Sequence, residues 1–135
     1  MKIYSKLHPA ILLHILNKRR DITRERRDIV PENQYLQVGT MKMVNGQTFR
    51  PHRHLPLERK TQITQESWVV IKGVVKVLLY DLDDTLIHTE LLYPGDCSIT
   101  LRGGHNYVCM EDDTLVYEYK TGPYMGQQKD KEFLD

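Results

Sequence analysis

Apolar positions along the chain change their spacing once. In "HPAILLHILN", residues 8 to 17, Ile11, Leu12, Ile15 and Leu16 recur at helical spacing behind a Pro9 placed in the first turn, which predicts a short N-terminal helix. The run "KRRDITRERRD" follows, and its interleaved charges read as a solvated linker. From "QYLQVGTMKM" onward the pattern is that of strands, with Tyr35, Leu36, Val38, Met41 and Met43 ahead of an Asn45-Gly46 turn. Then "ESWVVIKG", "VVKVLLYDL", "TLIHTELLY", "CSITL", "HNYVCME" and "TLVYEYK" succeed one another, divided by Gly, Pro or Asp-rich turns. Short strands at regular spacing predict an all-β, antiparallel sandwich or barrel.

Composition narrows this to one domain with one core: 135 residues, 40% hydrophobic and 27% charged. The expected division is an N-terminal helix and linker over 1–33, a barrel over 34–124 and a tail over 125–135. A net charge of +1 supplies no chain-wide field for nucleic acid or an anionic membrane, and neither is an expected partner. No apolar run approaches a membrane span and the N-terminus lacks a signal peptide's apolar core, so the cytoplasm is the expected compartment. Cys97 and Cys109 fall inside predicted strands and read as buried core residues.

Strand parity then gathers candidate chemistry. Side chains two apart share a face, which puts His52 and His54 together with Arg50 and Thr48. A strand opening at Glu66 sets Glu66, Trp68, Val70 and Lys72 on one side, and its apolar members turn that side inward. An inward carboxylate is costly unless a cation or hydrogen-bond donors meet it. His105, Tyr107 and Cys109 share a face of a later strand. Imidazole and carboxylate together suit a first-row divalent ion such as zinc, iron, manganese or nickel.

These residues resemble a known pattern. Gly46, five residues, His52, one residue, His54, and then Glu66, six residues and Gly73 resemble the first motif of the cupins. Gly95, five residues and "LRGGH" resemble the second, with Leu101 where that motif has proline and one residue fewer before His105. The likeness spans about residues 34 to 124. It implies a double-stranded β-helix, the cupin or jelly-roll barrel, in which His52, His54, Glu66 and His105 hold one divalent transition metal. The spacer between His54 and Glu66 is longer than the motif's, and an alternative alignment takes Glu58 as the carboxylate ligand. "PHRH", "TQESWVVIKG" and "YEYKTGPY" look like the small metallocupins associated with surface-polysaccharide biosynthesis. That likeness implies isomerase, lyase or dioxygenase chemistry on a sugar or small carboxylate, and allows a homodimer. A weaker likeness, to metal-free nucleotide-sugar ketoisomerases, implies an acid/base role for His54 or His105. The competing class is a cupin module that binds a small ligand without chemistry.

Other positions extend the list of ligand contacts. Arg50 suits a ligand carboxylate or phosphate, Trp68 and Tyr107 suit a sugar ring, and Gln37 is a candidate to enter the cavity from the first strand. One rival motif stands apart. "VVKVLLYDLDDTLIHTE" resembles the opening motif of haloacid dehalogenase-like phosphatases, with Asp81 as nucleophile and Asp83 as acid/base. That family needs a parallel α/β core, whereas the residues that follow here read as strands, so "DLDD" is expected to be a solvated hairpin turn.

Overall fold

The computed structural model describes residues 1–135. Its strands are β1 (Lys2–Tyr4), β2 (Leu12–Asn17), β3 (Arg27–Asp28), β4 (Gly39–Thr40), β5 (Glu66–Lys72), β6 (Val75–Tyr80), β7 (Leu86–Leu92), β8 (Cys97–Thr100), β9 (His105–Cys109) and β10 (Leu115–Lys120). A 3-10 turn at Arg19–Asp21 and a four-residue helix, α1 (Gln127–Asp130), complete the regular structure. None of it is a helix long and apolar enough to cross a membrane.

Each of the six runs expected from Glu66 onward is a strand, and every pairing is antiparallel. They divide between a five-stranded sheet of order β1-β2-β8-β5-β10 and a three-stranded sheet of order β7-β6-β9, while β3 and β4 form a separate ribbon. Parity assigns the faces. Leu16, Val70, Val75, Val77, Leu79 and Leu92 form one core with Trp68, Tyr107 and Val116, filling the space between the two larger sheets. Ile15, Cys97, Ile99 and Leu101 turn the other way and pack under Ile29, Val30, Leu36 and Val38. The five-stranded sheet is therefore covered on both faces.

That double cover explains the first correction to the sequence reading. Residues 12–17 form a strand, not the expected N-terminal helix, and five of the six are buried. A continuous apolar run buried on both faces of a sheet has no alternation to show, and over so short a length it mimics helical spacing. Its partner β1 comes from the same N-terminal stretch, so residues 1–33 contribute two strands to the main sheet.

The second correction concerns residues 41–65, where strands around Met43 and His52 are expected. Apart from the turn at Asn45-Gly46, closed by Gln47 N–H donating to the Val44 carbonyl at 3.1 Å, this segment has no regular structure. The sheets consequently do not close into a barrel: β9 pairs only with β6 and β10 only with β5, leaving one free edge on each.

Turn chemistry fixes the hairpins. Gly73, between β5 and β6, has φ of +82°, and a Cβ there would lie 2.8 Å from Thr114 Cα, so only glycine fits. Asp81–Thr85 closes the β6–β7 hairpin through Asp81 N–H to the Thr85 carbonyl at 2.8 Å. The acidic turn is therefore the hairpin expected, and Asp81 does not end a parallel strand. It is nevertheless only 1% exposed, not solvated: its carboxylate accepts from Ser5 Oγ at 2.6 Å, Lys6 N at 2.7 Å and Leu82 N at 2.8 Å. Those donors, the Ser5 hydroxyl foremost, hold the carboxyl below its ordinary range and tie the N-terminal strand to the hairpin.

Cys97 is buried, and burial pushes its thiol up to about 11. Cys109 is exposed, because it ends the free-edged β9 instead of sitting in the core.

Candidate functional site

Register across the five-stranded sheet arranges its inner face in graded rows. His14, Thr100, Glu66 and Lys120 pair in succession across β2, β8, β5 and β10 to make a polar row. One step along, Leu16, Ser98, Trp68 and Glu118 form a mixed row. Beyond it Val70 pairs with Val116 in the apolar part of the core. The facing sheet follows the same gradient, with His105 beside Leu79 and Tyr107 beside Val77. One end of the space between the sheets is thus polar and the other dry.

At the polar end Glu66 and His105 meet. His105 Nε2–H donates to Glu66 Oε2 in direct contact. Burial alone would raise the Glu66 carboxyl, but the hydrogen bond and charge of His105, contact with Glu118 and the charge of Lys120 outweigh it and hold the group below its ordinary range. The other ring nitrogen, His105 Nδ1, is buried without a hydrogen-bond partner. That nitrogen is an acceptor when the ring is neutral and a donor when it is charged, so the pair keeps one unspent hydrogen-bonding position.

Aromatic rings form the wall next to it. Trp68 and Tyr107 stack at 3.8 Å with planes 4° apart, and the Tyr107 ring lies 5.5 Å from that of His105. Both are locked: Trp68 Nε1–H donates to Glu118 Oε2 at 3.1 Å, and Tyr107 Oη shares a 2.7 Å hydrogen bond with Ser98 Oγ. Burial drives the Tyr107 phenol far above its ordinary value, so it stays protonated at any working pH.

The polar row itself holds a histidine that the strand pattern did not single out. His14 is fully buried, with Nδ1 3.0 Å from Thr100 Oγ1 and Nε2 2.9 Å from the Tyr80 carbonyl. Burial lowers its pKa to about 4, and the two contacts define the neutral tautomer with Nε2–H donating to Tyr80. Its sequence signal, one imidazole inside an aliphatic run, is visible once residues 12–17 are read as a strand.

The remaining candidates lie elsewhere. His52 and His54 keep the closeness expected of them, with ring centroids 5.4 Å apart, but they sit exposed in the segment between β4 and β5. His52 Nδ1 is 2.9 Å from the Arg50 carbonyl, and Arg50 itself is exposed. Glu58 is exposed and paired with Lys60 at 3.3 Å. Gln37 turns away from the interior and donates to the carbonyls of Pro31 at 2.9 Å and Gln34 at 2.7 Å. A neighbouring amide, Gln65, is buried instead and pins the 34–36 stretch to the sheet by accepting from Tyr35 N at 3.1 Å and Leu36 N at 2.8 Å.

As placed, Glu66 pairs with His105 through Nε2 while His52 and His54 form a separate pair, and the four side chains make no common donor set. Comparison of the chain with protein-family models, with curated proteins and with solved structures finds no match in any of the three.

Proposed function

We propose that the chain is a cupin-like jelly-roll domain that binds a small sugar or carboxylate metabolite at the polar end between its sheets, with Glu66 and His105 as an acid/base pair. The observation that carries this reading is the buried, unpartnered Nδ1 of His105, held in place by a carboxylate on its other nitrogen. Strand order supports the fold: β10-β5-β8 in one sheet and β9-β6-β7 in the other is the order a double-stranded β-helix has without its first two strands. Glu66 holds the ring through Nε2 and leaves Nδ1 unpartnered, which is the geometry a general base needs. A ligand hydroxyl, or an acidic carbon–hydrogen bond beside a carbonyl, delivers its proton to Nδ1. The Trp68–Tyr107 stack offers a wall for a sugar ring.

The divalent metal implied by the cupin resemblance would need His52 and His54 to swing onto the Glu66–His105 pair. The residues as placed do not fit a bound ion, so the proton-transfer reading rests on the pair alone.

Ligand-observed NMR against aldoses, ketoses, nucleotide sugars and small carboxylates, with deuterium exchange at the carbon beside the carbonyl as the readout of chemistry, tests the reading. Binding to wild type that falls at least tenfold in Glu66→Gln and in His105→Gln is the expected result. A ligand whose binding ignores both substitutions would remove the pair from the site. Binding without deuterium exchange would leave a non-catalytic module. Elemental analysis by plasma mass spectrometry runs alongside: one equivalent of metal, lost in His52→Ala/His54→Ala, would replace the proton-transfer reading with the four-ligand one.

A further inference from the structure

A second site lies at the opposite edge of the three-stranded sheet. A cavity of about 970 Å³ opens along β7, the strand farthest from His105, and is walled by the 3-10 turn, the β7–β8 turn and Lys42. Neither Glu66 nor His105 lines it. Five cations do: Lys18, Arg19, Arg20, Lys42 and Lys76.

Two acids share the wall, and both are already spent. Asp96 accepts from Arg19 N at 2.7 Å and Tyr93 N at 2.9 Å, and it lies 3.6 Å from Lys18 Nζ. Glu90 is 3.7 Å from Lys18 Nζ and 3.3 Å from His88 Nε2. Lys18 is consumed in turn, since it also donates to the Leu91 carbonyl at 2.6 Å. Arg19, Arg20, Lys42 and Lys76 have no acidic partner at all. Four unpaired cations around one cavity, in a chain whose net charge is only +1, concentrate a positive field where a ligand can enter.

The backbone is shaped to hold one of them. Gly95 has φ of +89°, and a Cβ there would fall 2.7 to 2.9 Å from Cδ, Cβ and Cγ of Arg19, so the arginine stem lies directly on bare glycine backbone. Asp96, the next residue, caps the Arg19 amide. The Thr23 and Thr89 hydroxyls add neutral hydrogen-bonding groups to the same wall.

We infer that this cavity binds a small molecule carrying a diphosphate. Two guanidinium groups offer forked donors to phosphate oxygens, and two ammonium groups supply point charges. Unpaired cations at this density match the two to three negative charges of a diphosphate. The volume leaves room for an organic group attached to it, within the range of about 300 to 1,000 Å³ usual for small-molecule sites.

The test is calorimetric titration of the full chain, at low and at physiological ionic strength, with inorganic pyrophosphate and with a nucleoside diphosphate. Arg20→Glu/Lys42→Glu and Lys76→Met are the site variants, and Lys131→Glu at the exposed C-terminal end is the charge control. Saturable one-to-one binding, weakened at least tenfold in both site variants and unchanged in Lys131→Glu, is the expected result. Amide shifts in the NMR spectrum should then fall at Thr23, Thr89 and Tyr93 and spare Glu66 and His105. Absence of saturable binding to either probe at low salt overturns the proposal. So does equal weakening in the control, which would make the effect one of net charge. Tighter, length-dependent binding of an oligonucleotide would assign the groove to nucleic acid instead.

Discussion

His14 shows how one residue sets the acid limit of the fold. Its folded pKa, about 4, lies below the ordinary 6.5, so the neutral ring is the form the native state holds. A depressed pKa means stability that is fully present above pH 6.5 and lost as pH falls from there towards 4, because the unfolded chain binds the proton first. The difference corresponds to a loss on the order of 3 kcal/mol. Asp81 and Glu66 act in a lower window. Their carboxyls are held below their ordinary 3.8 and 4.5, so their contribution is present above those values and fades only as pH falls past them. Urea unfolding between pH 7.5 and 4.5 should show wild type weakening steadily. His14→Leu should start about 1–3 kcal/mol lower at pH 7.5, with Thr100 and the Tyr80 carbonyl left unpaired, and lose much less with acid. An unchanged slope in that variant would show that His14 is not the titrating group.

At the scale of elements, two glycines of nearly equal φ make a controlled comparison. Gly73→Ala puts a methyl against Thr114 backbone in a left-handed turn and should cost at least ~2 kcal/mol. Gly46→Ala, at φ +83° with nothing within 4 Å of the new atom, should cost only about 1 kcal/mol. Chemical denaturation midpoints measure both, and equal losses would refute the steric account. The contrast also shows what the sequence could and could not disclose. Strands β5 to β10 were legible because each is bounded by turn residues and because β6 alternates buried and half-buried positions, the signature of a sheet with one core face. Residues 12–17 were not, since burial on both faces erases alternation. Glu66 and His105 could be set on inward faces by parity alone. Their contact could not be read, because it depends on packing one sheet over another. Asp81 reads as a solvated turn residue in the sequence because nothing local reveals that Ser5 and Lys6 will arrive from 76 and 75 residues away.

For the whole molecule, the organising asymmetry is between a sheet packed on both faces and a long connection packed on neither. Nearly every residue of 41–64 is exposed, including Met41, Met43, Val44, Phe49, Leu55 and Leu57, while the neighbouring β9 and β10 keep free edges with Val108, Tyr117 and Tyr119 exposed. Cleavage by a protease requires extended, accessible backbone, and the hydrogen-bonded sheets withhold it. Limited trypsin digestion should therefore cut first after Arg53, Arg59 or Lys60, with the Arg50–Pro51 bond resistant, leaving two fragments that migrate together because the sheet contacts on either side are intact. The same digest separates the two arrangements of the histidines. With His52 and His54 apart from Glu66 and His105, added zinc or nickel should leave the cutting rate after Arg53 unchanged. Protection by metal, abolished in His52→Ala/His54→Ala and in His105→Gln, would mean that the segment closes over the polar end of the sheets, pairing with the free edges of β9 and β10 as it does so. The ligand pocket would then be completed by the segment instead of being present in the sheets alone.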